Sequence, residues 1–204
     1  MGRRQYAMHS FSFPFVGIEK LYTEISSLLH QEQYPTLQES RVKTLNLHWK
    51  IGRLIVEYEN QWMASDEDHQ ELLCQLSVQI VKKFGDVFSF SILEKSCKFY
   101  LVYCPFSKKD NSSESADIPQ FQAPLTWDHY RLLIDVSCPK ARNFYENEAS
   151  NSNWPPLLLE QFIKNHVFER LLNSTNKESV LRSVQQGSLE LFSANNNDLN
   201  KLMD

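Results

Sequence analysis

Between Leu125 and Leu171 the chain reads LTWDHYRLLIDVSCPKARNFYENEASNSNWPPLLLEQFIKNHVFERL, and within it apolar residues return every three or four positions in three successive blocks. That period belongs to a helix with one buried face. Trp127, Tyr130, Leu133 and Ile134 mark the first block, with Thr126 placed to cap it and Asp128 near the positive end of its dipole. Pro139 opens the second, where Ala141, Phe144, Tyr145 and Ala149 keep the spacing. Asn151-Ser152-Asn153 ends that block, and Trp154-Pro155-Pro156 leads into a third helix with a stripe of Leu158, Phe162, Ile163, Val167, Leu171 and Leu172. Three helices joined by turns this short must pack on one another. The arrangement is one for interaction, and no catalytic constellation is visible in it.

The same period extends upstream. Ile18, Leu21, Tyr22, Ile25, Leu28 and Leu29 predict a helix that stops before Tyr34-Pro35. A long helix follows from about Thr36 to Trp62, with Val42, Leu45, Trp49, Gly52, Ile55 or Val56, and Trp62 inward. Glycine in a helix interior costs about 1 kcal/mol relative to alanine, so Gly52 predicts a close approach by another element; Arg53 beside it is a secondary candidate for a ligand contact. Leu72, Leu73, Leu76, Ile80, Val81 and Phe84 predict a third helix with Gly85 as its stop. Phe88–Tyr103 predicts a fourth, capped by Ser89 or Ser91, with Leu93, Phe99, Tyr100 and Val102 inward.

The expected fold is therefore all-α: a compact multi-helix domain holding one or two helix-turn-helix-like units. Only five glycines and eight prolines in 204 residues argue against a loop-rich β protein. An irregular arm is expected over 1–15, the helical domain over 16–187 and a tail over 188–204. Within the domain, a first unit covers about 16–105, a loop 106–122 and a second unit 123–187, which includes a short helix over Asn173–Gln186. A small wing or hairpin would belong in the Lys-, Asp-, Asn- and Ser-rich loop, whose composition shows none.

The upstream strings Asn46–Glu57 (NLHWKIGRLIVE) and Phe88–Tyr100 (FSFSILEKSCKFY), followed by L-T-W-x-H-Y, R-x-F-Y and F-E-R-L in order, carry a family likeness. Over roughly 18–187 the chain resembles the N-terminal domain of YhcG-type proteins, which precedes a nuclease of the restriction-endonuclease-like superfamily. Leu125–Leu171 alone is also similar to the helix-turn-helix of ParB-like DNA-binding proteins. The resemblance implies a helical, DNA-associated module. A restriction-type nuclease needs an acidic residue and an [Asp/Glu]-x-Lys pair to hold a divalent metal. No such triplet occurs here, so the nuclease part is expected to be absent and the chain is expected not to be an enzyme.

The departures from the family pattern fall on polar positions. Where the family has F-S-x-R-N-L-x-x-M-R-x-F-Y, this chain has Ser91 and Ile92 for Arg and Asn, and Cys97 for the second Arg. The family's W-S-V-R-E-L is Trp154-Pro155-Pro156-Leu157-Leu158-Leu159. Guanidinium groups make most bidentate contacts to bases and phosphates, and the formal net charge is −4. DNA would then be held by a local basic patch, for which Lys82, Lys83, Lys95, Lys98, Arg131, Lys140 and Arg142 are the candidates. The alternative is a protein-interaction or self-association module, through a partner or a homodimer, that has lost DNA binding. Leu157, Leu158 and Leu159 cannot all face one core, and they are its interface candidates.

Other chemistries lack their signatures. Phosphate-loop, dinucleotide, H-E-x-x-H and G-x-S-x-G motifs are absent. His9, His30, His48, His69, His129 and His166 are dispersed, and His129 reads as a core or rim histidine despite its neighbour Asp128. Trp127, Tyr130, Phe144, Tyr145 and Trp154 read as core before they read as base-stacking platforms. Cys74, Cys97, Cys104 and Cys138 have no metal-site spacing and are expected to be reduced thiols. No cofactor, metal or small-molecule substrate is expected. No apolar run nears the ~20 residues of a membrane span and no leader core forms, so a cytoplasmic, membrane-free setting is expected.

Overall fold

The computed structural model describes residues 15–31, 39–62, 66–104 and 118–174. Expectations for the arm, the 106–117 part of the loop, the last residues of the second unit and the tail lie outside them. Among the described residues there are eight α-helices and no strand: α1 (Phe15–Gln31), α2 (Glu39–Trp62), α3 (Asp66–Phe84), α4 (Phe90–Tyr103), α5 (Trp127–Leu133), α6 (Pro139–Asn151), α7 (Pro156–Lys164) and α8 (Val167–Asn173). A 3₁₀ turn, Asp86–Phe88, links α3 to α4. The all-α expectation holds. No described helix is long and apolar enough to cross a membrane.

Helices α2 and α4 form the spine, and Gly52 is the reason they lie so close. A Cβ on Gly52 would fall 2.0 Å from the Ser96 carbonyl oxygen, so only hydrogen fits between the two backbones. On one side of the spine, α1 and α3 close a core of Ile18, Leu21, Ile25, Ile51, Ile55, Leu73, Leu76, Ile80 and Leu93. On the other, α5–α8 close a second core with Leu45, Trp49, Phe99, Tyr130, Tyr145, Leu159, Phe162 and Val167. Gly85 stops α3 with φ +84°, a left-handed conformation that glycine adopts without Cβ strain, and its N–H donates to Val81 O at 2.9 Å.

Three expectations of the helical stripes are corrected. Val42 is 52% exposed, because the inward face of α2 runs through Leu45, His48, Trp49, Gly52, Ile55 and Val56. The single third helix of the second unit is two: α7 ends at Lys164, His166 takes a left-handed conformation, and α8 starts afresh. Tyr145 stabilises the break. Its hydroxyl donates to Phe162 O at 3.3 Å and accepts from Phe168 N–H at 3.1 Å, satisfying groups that a continuous helix would have paired along its own axis. Past the break Leu172 is 70% exposed, although the stripe placed it inside.

Candidate functional site

The seam between the spine and α5 is set by His48. Its ring lies flat on Trp127, 3.8 Å between centroids and 6° from parallel, and its Nδ1 is 3.0 Å from Ser96 Oγ. Ser96 Oγ already donates to Ile92 O at 2.8 Å, so its lone pair accepts the His48 Nδ1–H and the imidazole is the Nδ1-protonated tautomer. Burial, with the Arg131 cation adding to it, lowers the His48 pKa to about 3. The ring is neutral in the folded chain at neutral pH. Nothing in a list of dispersed histidines singles out this one. Its place on the Leu45–Trp49–Gly52 stripe does.

Thr126 is the N-cap of α5, as expected, and His129 takes the role that Glu or Gln plays in a capping box. Its Nδ1 accepts from Thr126 N–H at 3.1 Å, and its Nε2–H donates to Trp154 O at 2.8 Å. His129 is thus a core residue that fastens the turn before α7 to α5. A second network holds α4, α5 and α6 together. Tyr103 and Tyr130 each donate a hydrogen bond of 3.0 Å to a different oxygen of Glu146, and Tyr130 Oη accepts from Gln122 N–H at 3.0 Å. Burial raises the Glu146 carboxyl above its usual range, against the lowering effect of both hydroxyls and Arg142. Tyr130→Phe should strand the Gln122 N–H and one Glu146 oxygen. A loss of about 2 kcal/mol is expected in urea unfolding, and an unchanged midpoint would remove this network from the account.

Beyond the seam, the α5–α6 turn gathers charge. Lys95 Nζ donates to Asp135 Oδ2 at 2.9 Å and Lys98 Nζ to Asp135 Oδ1 at 2.7 Å, so one turn carboxylate joins two lysines of α4. Arg131, one helical turn before Asp135, pairs with Asp128 at 2.6 Å. Arg142 reaches back to the end of α5, with Nε donating to Leu133 O at 3.2 Å and Nη2 to Val136 O at 2.8 Å. Lys140 is exposed in the first turn of α6, beside an N-cap, Cys138, that makes no side-chain cap. Of the seven predicted basic candidates, Lys95, Lys98 and Arg142 are therefore tied to this turn, Lys140 follows it in α6, and Arg131 pairs back along α5. Asp135, which joins the two lysines, was not visible as a partner, because 37 and 40 residues separate it from them.

The other two candidates stand apart. Lys82 and Lys83 lie in the last turn of α3, where they oppose the negative end of its dipole. Lys83 stands over the Phe84 ring and lines a shallow depression with Thr23, Ser26, Ser27, His30 and Gln31 of α1. Lys83 thus keeps company with α1, while Lys95 and Lys98 keep company with Asp135. Arg53 pairs with Glu57 along α2 at 2.6 Å. Of the leucine candidates, Leu159 is fully buried and closed to any partner, Leu158 packs partly against the core, and Leu157 is 42% exposed. Tyr130, Tyr145 and Trp154 are buried, and Trp127 and Phe144 are half-buried against the same core, which fits the core reading of the aromatic set. The four cysteines are free thiols, with Cys97 buried. Among the described residues no three His, Cys, Asp or Glu side chains converge as a metal site would require.

Fold and site together define an all-helical domain whose most developed feature is a charged turn on a two-helix spine. The sequence matches the DUF1016 N-terminal domain over residues 24–170, and the chain belongs to that family. It is similar, at 25% identity over 186 residues, to the Escherichia coli (strain K12) protein named "Putative nuclease YhcG". That alignment covers 81% of this chain and 50% of YhcG, so the chain spans half the length of this relative. No solved structure matches it.

Proposed function

We propose that the chain is a non-catalytic nucleic-acid-associating module whose contact face is the α5–α6 turn with the adjoining side of α4. The observation that carries this reading is that Lys95, Lys98 and Arg142 are held at one turn, with Arg131 before it in α5 and Lys140 after it in α6, in a chain with a net charge of −4. Phosphate affinity comes from such local concentrations of cations. Pro139 opens α6 without an N–H and Arg142 N–H already bonds Cys138 O, which leaves the Lys140 and Ala141 N–H groups at the positive end of this helix without an intrahelical acceptor, an end that suits an anion. The relative is named as a nuclease, a class that acts on nucleic acid. In this role Leu125–Leu171 serves as a helix-turn-helix-like unit, with α3, the tight turn and α4 as the second candidate.

Fluorescence anisotropy on a labelled duplex tests it. Affinity should fall about tenfold or more between 50 and 200 mM salt, as expected for several phosphate contacts. Lys140→Gln should weaken binding about equally for unrelated sequences, with a salt slope shallower by about 0.9. Added Mg²⁺ or Mn²⁺ should leave the duplex uncut. A chain indifferent to DNA at 50 mM salt would refute the proposal.

Leu157 on α7 and Leu172 on α8, exposed at 42% and 70%, favour the second reading, a self-association or protein-contact module. Under it, light scattering gives the mass of a dimer and Leu157→Lys restores a monomer.

A further inference from the structure

Two lysines of like charge, one turn apart on the same face of α4, repel each other unless an anion lies between them. Here that anion is Asp135. Its two oxygens are divided between Lys95 and Lys98, at 2.9 and 2.7 Å. The geometry is that of a phosphodiester's two non-bridging oxygens received by two ammonium donors. All three side chains keep solvent contact, with 28%, 49% and 51% of the Lys95, Lys98 and Asp135 side-chain surface exposed. An ion pair this exposed is worth little and exchanges readily. Among the described residues no other hydrogen-bond acceptor engages either ammonium group, and Glu94 is the other carboxylate on this stretch of α4.

We propose that Lys95 and Lys98 form an oxyanion seat for a nucleic-acid phosphate, and that Asp135 fills this seat in the free chain as an internal competitor. The inference rests on the nucleic-acid reading above and adds a regulated contact to it. The Asp135 carboxylate swings away as a backbone phosphate takes both lysines. Binding therefore starts against a built-in opposing charge, and this face holds polyanions less tightly than its cations alone would. A purely structural role makes the opposite prediction. If Asp135 serves only to clamp α4 to the turn, removing its charge loosens the face and weakens binding.

The test compares the full chain with Asp135→Asn, an isosteric change at an exposed position, on one 20-base-pair duplex at 50 and 200 mM salt. Asp135→Asn should bind about fivefold tighter at 50 mM, the worth of one exposed ion pair, with a salt slope steeper by about 0.9. Asp135→Glu, which keeps the charge, should show neither gain. In a Lys95→Gln/Lys98→Gln background the Asp135→Asn gain should vanish. Wild type that binds while Asp135→Asn binds equally or less tightly overturns the competitor and leaves the nucleic-acid reading standing. Loss of the folded circular-dichroism signal in Asp135→Asn marks the carboxylate as structural and likewise overturns it. Absence of binding by both chains at 50 mM overturns the two together.

Discussion

Gly52→Ala is expected to lower the stability of the whole chain by about 3 kcal/mol or more. The added methyl group would sit 2.0 Å from the Ser96 carbonyl oxygen and 2.5 Å from its carbon. Both atoms are backbone, so no side-chain rotation relieves the overlap and α4 must move away from α2. Overpacking of this kind costs 1–3 kcal/mol and at times more, and the ~1 kcal/mol gained in helix propensity does not offset it. In a domain this size the melting temperature should fall by about 10 °C. Gly17→Ala is the matched control. There the nearest atom is the Tyr58 hydroxyl at 2.7 Å, the far end of a side chain that can yield, and the net change should stay within about 1 kcal/mol. If Gly52→Ala melts within a few degrees of the parent, the close spine contact is wrong.

Acidification should destabilise the chain through His48. Its folded pKa is lowered from 6.5 to about 3, so between those values the unfolded chain binds a proton that the folded chain excludes. Stability contributed by this group is present above pH 6.5 and lost as pH falls toward 3, by about 1.4 kcal/mol per pH unit over most of that window. At pH 5 the loss amounts to about 2 kcal/mol. The proton has no good place to go: Trp127 covers the ring face, Ser96 already receives the Nδ1 hydrogen, and Arg131 supplies a like charge. His48→Phe keeps a ring against Trp127 and removes the titration. Urea unfolding of that variant at pH 7 and pH 5 should show a pH dependence smaller by about 2 kcal/mol than in the parent. Parallel pH profiles for the two proteins would dismiss His48 as the origin.

How far the fold was legible follows from which forces act locally. The helical period, Gly52 as a point of close approach, Gly85 as a stop and Pro139 as an opener are local signals, and each corresponds to an observed feature. The break between α7 and α8 was not legible, because Ile163 and Val167 remain four residues apart whether or not the helix is continuous. What permits the break is the Tyr145 hydroxyl, and its partners Phe162 and Phe168 are 17 and 23 residues away. The charged site shows the same divide. Seven basic residues were identifiable as types, but which of them assemble depended on Asp135 and on two carbonyls at the end of α5. His48 was missed for a different reason: its spacing was readable, but a histidine on an apolar stripe gives no sign of whether it ends up stacked on Trp127.

The spine has a consequence for how the molecule comes apart. Leu45, Trp49 and Phe99 belong to one core, while Ile51, Ile55 and Leu93 belong to the other, yet all six sit on the same two rods. Neither half keeps its inner wall if the other melts, so denaturation should be all-or-none, with fluorescence and circular dichroism tracing a single superimposable curve. Cutting the polypeptide between Cys104 and Ile118 would yield two fragments, and the C-terminal one would lack the surface against which its aromatic residues close.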